Sequence, residues 1–128
     1  MQVNDIISHN FNRSEFACPC GECECDTVDT QLLEICEIVR DFEGGPVHVN
    51  SGHRCAEHNS TVGGGTNSQH LYGRAADLRV KDPKATRGRL DFLYPNSLGL
   101  GIYDTFIHVD TRTLGPARWD NRTGRRAG

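Results

Sequence analysis

Leu100-Gly101-Ile102-Tyr103-Asp104-Thr105-Phe106-Ile107-His108-Val109-Asp110 reads as two short extended arms around a turn at Asp104-Thr105. That pattern predicts a β-hairpin. In the second arm the period of two sends Phe106, His108 and Asp110 to one face and the apolar Ile107 and Val109 to the other. Upstream, Ala75-Ala76-Asp77-Leu78-Arg79-Val80 predicts a buried strand whose small residues allow a close neighbour, and Val47-His48-Val49-Asn50 predicts another. Between the strands lie helical signals. Leu32, Ile35, Cys36 and Val39 recur at helical spacing behind an N-cap at Asp29 or Thr30, and Gly44-Gly45-Pro46 stops that helix. A shorter helix is expected around Ala56 to Val62. A third opens at Asp82-Pro83 and runs toward Tyr94. The expected fold is therefore α+β, a small and mostly antiparallel sheet with two or three helices packed on it.

Bulk properties narrow the rest. A chain of 128 residues makes one compact domain. We place it at residues 1–120, with 1–25 as an N-terminal arm and cysteine-rich knot. Phe11 and Phe16 of the arm are placed to dock on the domain. Residues 121–128 form a basic tail expected to be solvated and disordered. A net charge of −3 gives no overall attraction to nucleic acid, although residues 112–128 carry Arg112, Arg118, Arg122, Arg125 and Arg126 against Asp120 alone. No apolar run approaches the ~20 residues that cross a membrane. The first residues lack the basic start and apolar stretch of a secretory signal. A monomer that neither inserts in membranes nor binds nucleic acid is expected.

The chemistry concentrates in His70, Asp77 and His108. Two imidazoles and a carboxylate suit zinc, and a three-ligand set leaves a fourth position for water, the arrangement of a catalytic rather than a structural site. His70 and Asp77 are seven residues apart, too far for one helical turn, so a loop followed by a strand must bring them together. Zinc lowers the pKa of bound water to about 7, so hydrolysis is the expected chemistry.

The residues that carry these signals belong to a longer ordered set. Ser51-Gly52-His53-Arg54-Cys55, Asn59, Val62-Gly63-Gly64, Ser68-Gln69-His70, Gly73-Arg74-Ala75-Ala76-Asp77, and Gly101-Ile102-Tyr103 through His108-Val109-Asp110-Thr111-Arg112 together resemble the zinc D-alanyl-D-alanine carboxypeptidase family. That family includes phage endolysin peptidases and shares its fold with the hedgehog signalling domain. The resemblance runs from about Phe11 to Trp119. It implies a zinc metallopeptidase, either a D,D-carboxypeptidase or an endopeptidase, acting on peptidoglycan stem peptides. Zinc would be held by His70, Asp77 and His108, with Arg54 facing the cleft as a catalytic residue that holds the substrate carbonyl and the developing oxyanion. Ser68, Tyr103 and His53 are expected to contact substrate. The missing export signal suits a lytic enzyme made in the bacterial host cytoplasm that reaches the wall after release.

One position departs from the family pattern. Many relatives carry an acidic or histidine base two or three residues before the last zinc histidine, where this chain has Phe106 and Thr105. Asp110 is the candidate general base and Asp104 the runner-up. A third assignment exchanges the roles of His108 and Asp110, and a fourth makes Asp110 a structural partner of Arg112. Cys18, Cys20, Cys23 and Cys25 are expected to hold a second, structural zinc or to form disulfides, whereas Cys36 reads as a plain core residue. The rival to the enzyme is a non-catalytic zinc-binding module that uses the cysteine knot and arginine tail to bind a partner.

Overall fold

A computed structural model describes residues 6–20, 23, 25–64, 68–113 and 115–123. Strands β1 (Ile6–Ser8) and β2 (Phe11–Asn12) form a small antiparallel pair ahead of helix α1 (Thr30–Glu43). Then come β3 (His48–Ser51), α2 (Ala56–Thr61), β4 (Ala75–Arg79), α3 (Pro83–Leu93), β5 (Gly99–Ile102), β6 (Phe106–Asp110) and β7 (Ala117–Asp120). The main sheet runs β3-β4-β6-β5-β7, antiparallel except where β7 lies parallel to β5. This is the α+β architecture expected from the sequence.

Local chemistry explains the elements. Asp29, not Thr30, caps α1 by accepting from the Leu32 N–H at 3.2 Å, and Gly44 closes the helix with φ 76°. Asp82 caps α3 through the Ala85 N–H at 3.0 Å, with Pro83 in the first turn, where no backbone donor is lost. The inward face of α1, Leu32, Ile35, Cys36 and Val39, packs with Leu90 of α3 against one face of the sheet. On that face one row crosses from Val49 to Leu78, Ile107 and Ile102. Burying each large apolar side chain contributes about 1.5–3 kcal/mol, so this row and the two helices anchor the fold. Phe11 and Phe16 also enter the core, their rings 5.7 Å apart, as the arm was expected to do.

The C-terminal part differs from the sequence reading. β7 adds a fifth strand that the alternation of Ala117-Arg118-Trp119-Asp120 did not announce. Residues 121–123 are docked. The Asn121 N–H donates to the Ile102 carbonyl at 2.8 Å, and Thr123 donates to Asp104 from both its N–H and its hydroxyl. The arginines are likewise engaged. Arg118 donates to Asp91 and to the carbonyls of Tyr94, Ser97 and Leu98, Arg112 pairs with Asp110, and Arg122 pairs with Asp120. Arg125 and Arg126 lie outside the described residues. No described helix is long and apolar enough to cross a membrane.

Candidate metal centre

The face of the sheet opposite the helices carries a second row, built by register alone. Ser51 on β3 sits beside Asp77 on β4, Asp77 beside His108 on β6, His108 beside Gly101 on β5, and Gly101 beside Trp119 on β7. A bulge between Val49 and Ser51 brings Ser51 into that row. His70 arrives from a single 3-10 turn, Gln69–Tyr72, capped by the Ser68 hydroxyl and ended by Gly73 at φ 69°. The turn and β4 thus bridge the seven-residue gap between His70 and Asp77.

His70, Asp77 and His108 present ligand atoms within 4.8 Å of one another. Their hydrogen bonds fix which ring nitrogens face inward. His70 Nδ1 lies 2.7 Å from the Gly52 carbonyl, which can only accept, so Nδ1 carries the proton and Nε2 is a lone pair. His108 Nε2 lies 2.7 Å from Asp110 Oδ2 and donates to it, which leaves the His108 Nδ1 lone pair facing Asp77 Oδ1 at 3.0 Å. Buried His70 Nε2 has no hydrogen-bond partner and stands 3.4 Å from Asp77 Oδ2. With both rings neutral in these tautomers, lone pairs face a carboxylate with no proton between them. A cation resolves that conflict, and the donor set of two imidazoles and one carboxylate fits zinc.

Electrostatics agree. Burial pushes Asp77 upward, but the hydrogen bonds and charges of His108 and His70 outweigh it and hold the carboxyl well below its usual range. Asp110 is also pushed up by burial and held low, in its case by Arg112 and His108. Burial alone would lower His108, yet Asp110 and Asp77 together lift it. The site pulls positive charge into itself, and a proton on His108 Nδ1 competes there with a metal ion.

Arg54 reaches the same centre. Its Nη2 is 3.5 Å from Asp77 Oδ2, while Ser51 Oγ and Asn59 Oδ1 each accept from the guanidinium at 3.1 Å. Gly64 passes so close that a Cβ there would lie 2.0 Å from Asn59 Oδ1. Arg54, Ser68, Tyr103 and the three candidate ligands line one cleft of about 460 Å³. A larger hollow of about 600 Å³, lined by His48, Arg79 and Asp104, lies elsewhere and contains none of them.

Several expected residues are placed differently. His53 does not face the cleft. Its Nδ1 accepts from the Thr27 N–H at 3.0 Å and its Nε2 donates to the Leu71 carbonyl at 3.2 Å, so both ring nitrogens tie loops together. Asp104 accepts from Thr123 on the far hollow and cannot serve this cleft as a base. Asp110 has no exposed side-chain surface. Arg112 holds both its oxygens, with contacts of 2.7 and 2.6 Å, and the Gly99 N–H donates to it as well. It sits behind His108, on the ring nitrogen away from Asp77, which suits orienting a ligand better than accepting a proton from water. Cys25 touches the Cys23 thiol but is not one of the four sulfurs that lie within 4.8 Å of one another, where Cys55 joins Cys18, Cys20 and Cys23 instead. The Cys25 carbonyl accepts the Cys18 N–H at 2.7 Å. Cys36 is fully buried in the core as expected.

The structure adds two residues whose role in the site the sequence left unsettled. Trp119 lies 5.1 Å from His108 ring to ring and donates from Nε1 to the Tyr103 hydroxyl at 3.0 Å. Arg112 locks Asp110 and lies over the Trp119 ring at 5.5 Å. Both lie on the cleft wall. The signal for them was the glycines opposite. A Cβ on Gly101 would lie 2.2 Å from Trp119 Nε1, and one on Gly99 would lie 2.4 Å from Asp110 Oδ2.

Two comparisons with known proteins bear on this geometry. Over 33 residues, 26% of this chain, it is 58% identical to a zinc D-Ala-D-Ala carboxypeptidase from Streptomyces albus G, and the match spans 13% of that protein's length. The peptidase M15 family matches residues 9–110, from the N-terminal arm through β6 and all three candidate ligands. A lone-pair cage of this composition, lying inside so long a match, leads to one assignment: the chain belongs to the peptidase M15 family.

Proposed function

We propose that this protein is a zinc-dependent peptidase that hydrolyses a peptide bond in bacterial peptidoglycan stem peptides, in the setting of a phage endolysin or a virion or prophage lytic enzyme. The observation that carries this reading is the convergence of His70 Nε2, buried and without a hydrogen-bond partner, with Asp77 and His108 Nδ1 in an open cleft. These three would hold the ion. Zinc there supplies Lewis acidity toward a carbonyl and lowers the pKa of water to about 7.

The chain's own residues do the rest. Arg54, braced by Ser51 and Asn59, presents its guanidinium to the substrate carbonyl or terminal carboxylate and stabilises negative charge as it develops there. Tyr103 and Ser68 border the space a peptide would enter, and Trp119 offers an apolar wall. Asp110 keeps the His108 proton on Nε2, so that Nδ1 stays a ligand. We assign it this positioning role in place of the general-base role expected from its sequence position. The D,D-carboxypeptidase and endopeptidase alternatives share this machinery.

A second reading has one observation in its favour. Among the described residues, the cleft contains no carboxylate or imidazole beyond the three candidate ligands and the locked Asp110. That composition also suits a metal site that binds a peptide without cleaving it. Mass spectrometry of fragments released from purified peptidoglycan, with and without a chelator, separates the two. Chelator-sensitive release of new amine and carboxyl ends supports the peptidase and identifies the bond. Zinc-loaded protein that binds peptidoglycan yet releases nothing supports the binding module.

A further inference from the structure

The cysteines outside the cleft make a second arrangement that the peptidase reading does not use. Cys18 Sγ and Cys55 Sγ are 3.8 Å apart, Cys55 Sγ and Cys20 Sγ 3.9 Å, and Cys20 Sγ and Cys23 Sγ 3.3 Å. All four sulfurs lie within 4.8 Å of one another. A tetrahedral zinc with Zn–S bonds of about 2.3 Å sets its sulfurs about 3.8 Å apart. These separations are far from the ~2.05 Å of a disulfide. Four sulfurs gathered at ligand spacing, rather than paired, match a closed structural site.

The surrounding backbone is shaped for it. Cys20 and Cys23 supply the two-residue spacing of a zinc knuckle, and the Cys18 N–H donates to the Cys25 carbonyl, closing the loop that holds three of the sulfurs. Two N–H groups aim at sulfur, from Cys55 to Cys18 Sγ at 3.5 Å and from His58 to Cys55 Sγ at 3.4 Å. Donors of this kind stabilise thiolates. The fourth sulfur, thirty-two residues beyond Cys23, directly follows Arg54.

We propose that Cys18, Cys20, Cys23 and Cys55 bind a structural zinc ion, distinct from the cleft site, that staples the N-terminal knot to the segment carrying Arg54. Binding converts four thiols to thiolates and releases their four protons to solvent, with no change of oxidation state. The ion closes a loop of chain between residues 18 and 55 and fixes the backbone on one side of Arg54, while Ser51 fixes the guanidinium on the other. Cys25 and Cys36 take no part.

The test is metal content of the full chain purified under reducing conditions. Wild type should carry two zinc ions per chain, His70→Ala one, and Cys25→Ser and Cys36→Ser two each. Cys55→Ser and Cys23→Ser should each lose one. Should those two variants fail to fold, the wild-type chain still decides the matter. Titration with a thiol-specific mercurial should release one zinc as the four ligand thiols react, and Cys25→Ser should release it likewise. Cobalt substitution of His70→Ala should show sulfur-to-cobalt charge-transfer absorption. The proposal is overturned if His70→Ala holds no metal and gives no such absorption, if Cys25→Ser loses an ion, or if peptide mapping finds these cysteines in disulfides with no zinc bound. None of these readouts depends on peptidase activity, so failure of the peptidase reading leaves the result intact.

Discussion

Replacing Asp110 by Asn tests whether a carboxylate behind His108 sets the metal affinity of the site. The wild-type Oδ1 accepts from the Gly99 N–H, the Arg112 N–H and Arg112 Nε, and Oδ2 accepts from Arg112 Nη2 and His108 Nε2. In the Asn side chain, the amide oxygen keeps the three donors on its side, and the amide NH2 then faces His108. A donor opposite Nε2 moves the imidazole proton to Nδ1, the nitrogen that faces Asp77, and one of the three inward lone pairs is lost. Loss of such an outer partner weakens metal binding or activity by about 10–100-fold, or about 1.4–2.8 kcal/mol. The Arg112 guanidinium also loses its ion pair. Because Arg112 keeps partial access to water, the stability cost falls below the ~3–5 kcal/mol of a fully buried broken pair. The assay is competition against a chromophoric chelator at neutral pH, run beside peptide turnover, with a thermal melt to confirm folding. Weaker metal binding with activity restored by excess zinc is the expected result. Unchanged affinity with turnover down by about 10²–10⁴ would refute the argument and return Asp110 to the role of general base.

Four further outcomes follow from the same geometry. Arg54→Lys should keep its metal but lose about 10²–10³ in kcat, because an ammonium cannot span Ser51, Asn59 and the cleft together; equal turnover would remove Arg54 from the chemistry. Gly101→Ala should force the Trp119 ring away from His108 and cost about 1–3 kcal/mol, read by denaturant midpoint and by the fluorescence of the single tryptophan; an unshifted spectrum would contradict the close packing. Leu78→Ala should cost about 2–5 kcal/mol in the same assay, as expected for a fully buried core leucine. Glu37 is pushed up by burial but held lower by donors from Ser8 and Asn10, so its folded pKa lies below its unfolded one. Its contribution is therefore present above the unfolded pKa of about 4.3 and lost as pH falls through the folded value. The stability gap between wild type and Glu37→Gln should be at most about 1 kcal/mol at neutral pH and should vanish in acid; a gap independent of pH would assign the effect to packing.

How much of this was legible in the chain depends on the range of each interaction. The hairpin, the buried strand at Ala75 and the α1 face follow from local periodicity, and the structure keeps them nearly to the residue. The three candidate ligands were named because residue type and order carry that signal. β7 was missed because a parallel partner is set by a distant strand, and neither Pro116 nor the polar Arg118 and Asp120 announces one. His53 was misplaced because its neighbour Arg54 enters the cleft, while hydrogen bonds to Thr27 and Leu71, far off in sequence, turn its ring away. Cys55 replaced Cys25 for the same reason. Proximity in sequence favoured four close cysteines, but Cys25 is committed through its carbonyl to the loop that positions Cys18. Asp110 looked like a base because strand alternation put it on the right face. Which nitrogen of His108 it touches is a matter of rotamers, which no pattern of letters specifies.

Gly52 touches two parts of the molecule at once. Its carbonyl sets the His70 proton, and its missing side chain leaves room for the Phe16 backbone, where a Cβ would come within 2.6 Å. The next residue, His53, donates its own N–H to the Phe16 carbonyl at 2.8 Å. The N-terminal arm is thus geared to the ring of His70 through a single peptide unit. A change that shifted the Phe16 backbone would therefore move the Gly52 carbonyl and loosen its hold on His70 Nδ1, with nothing entering the cleft.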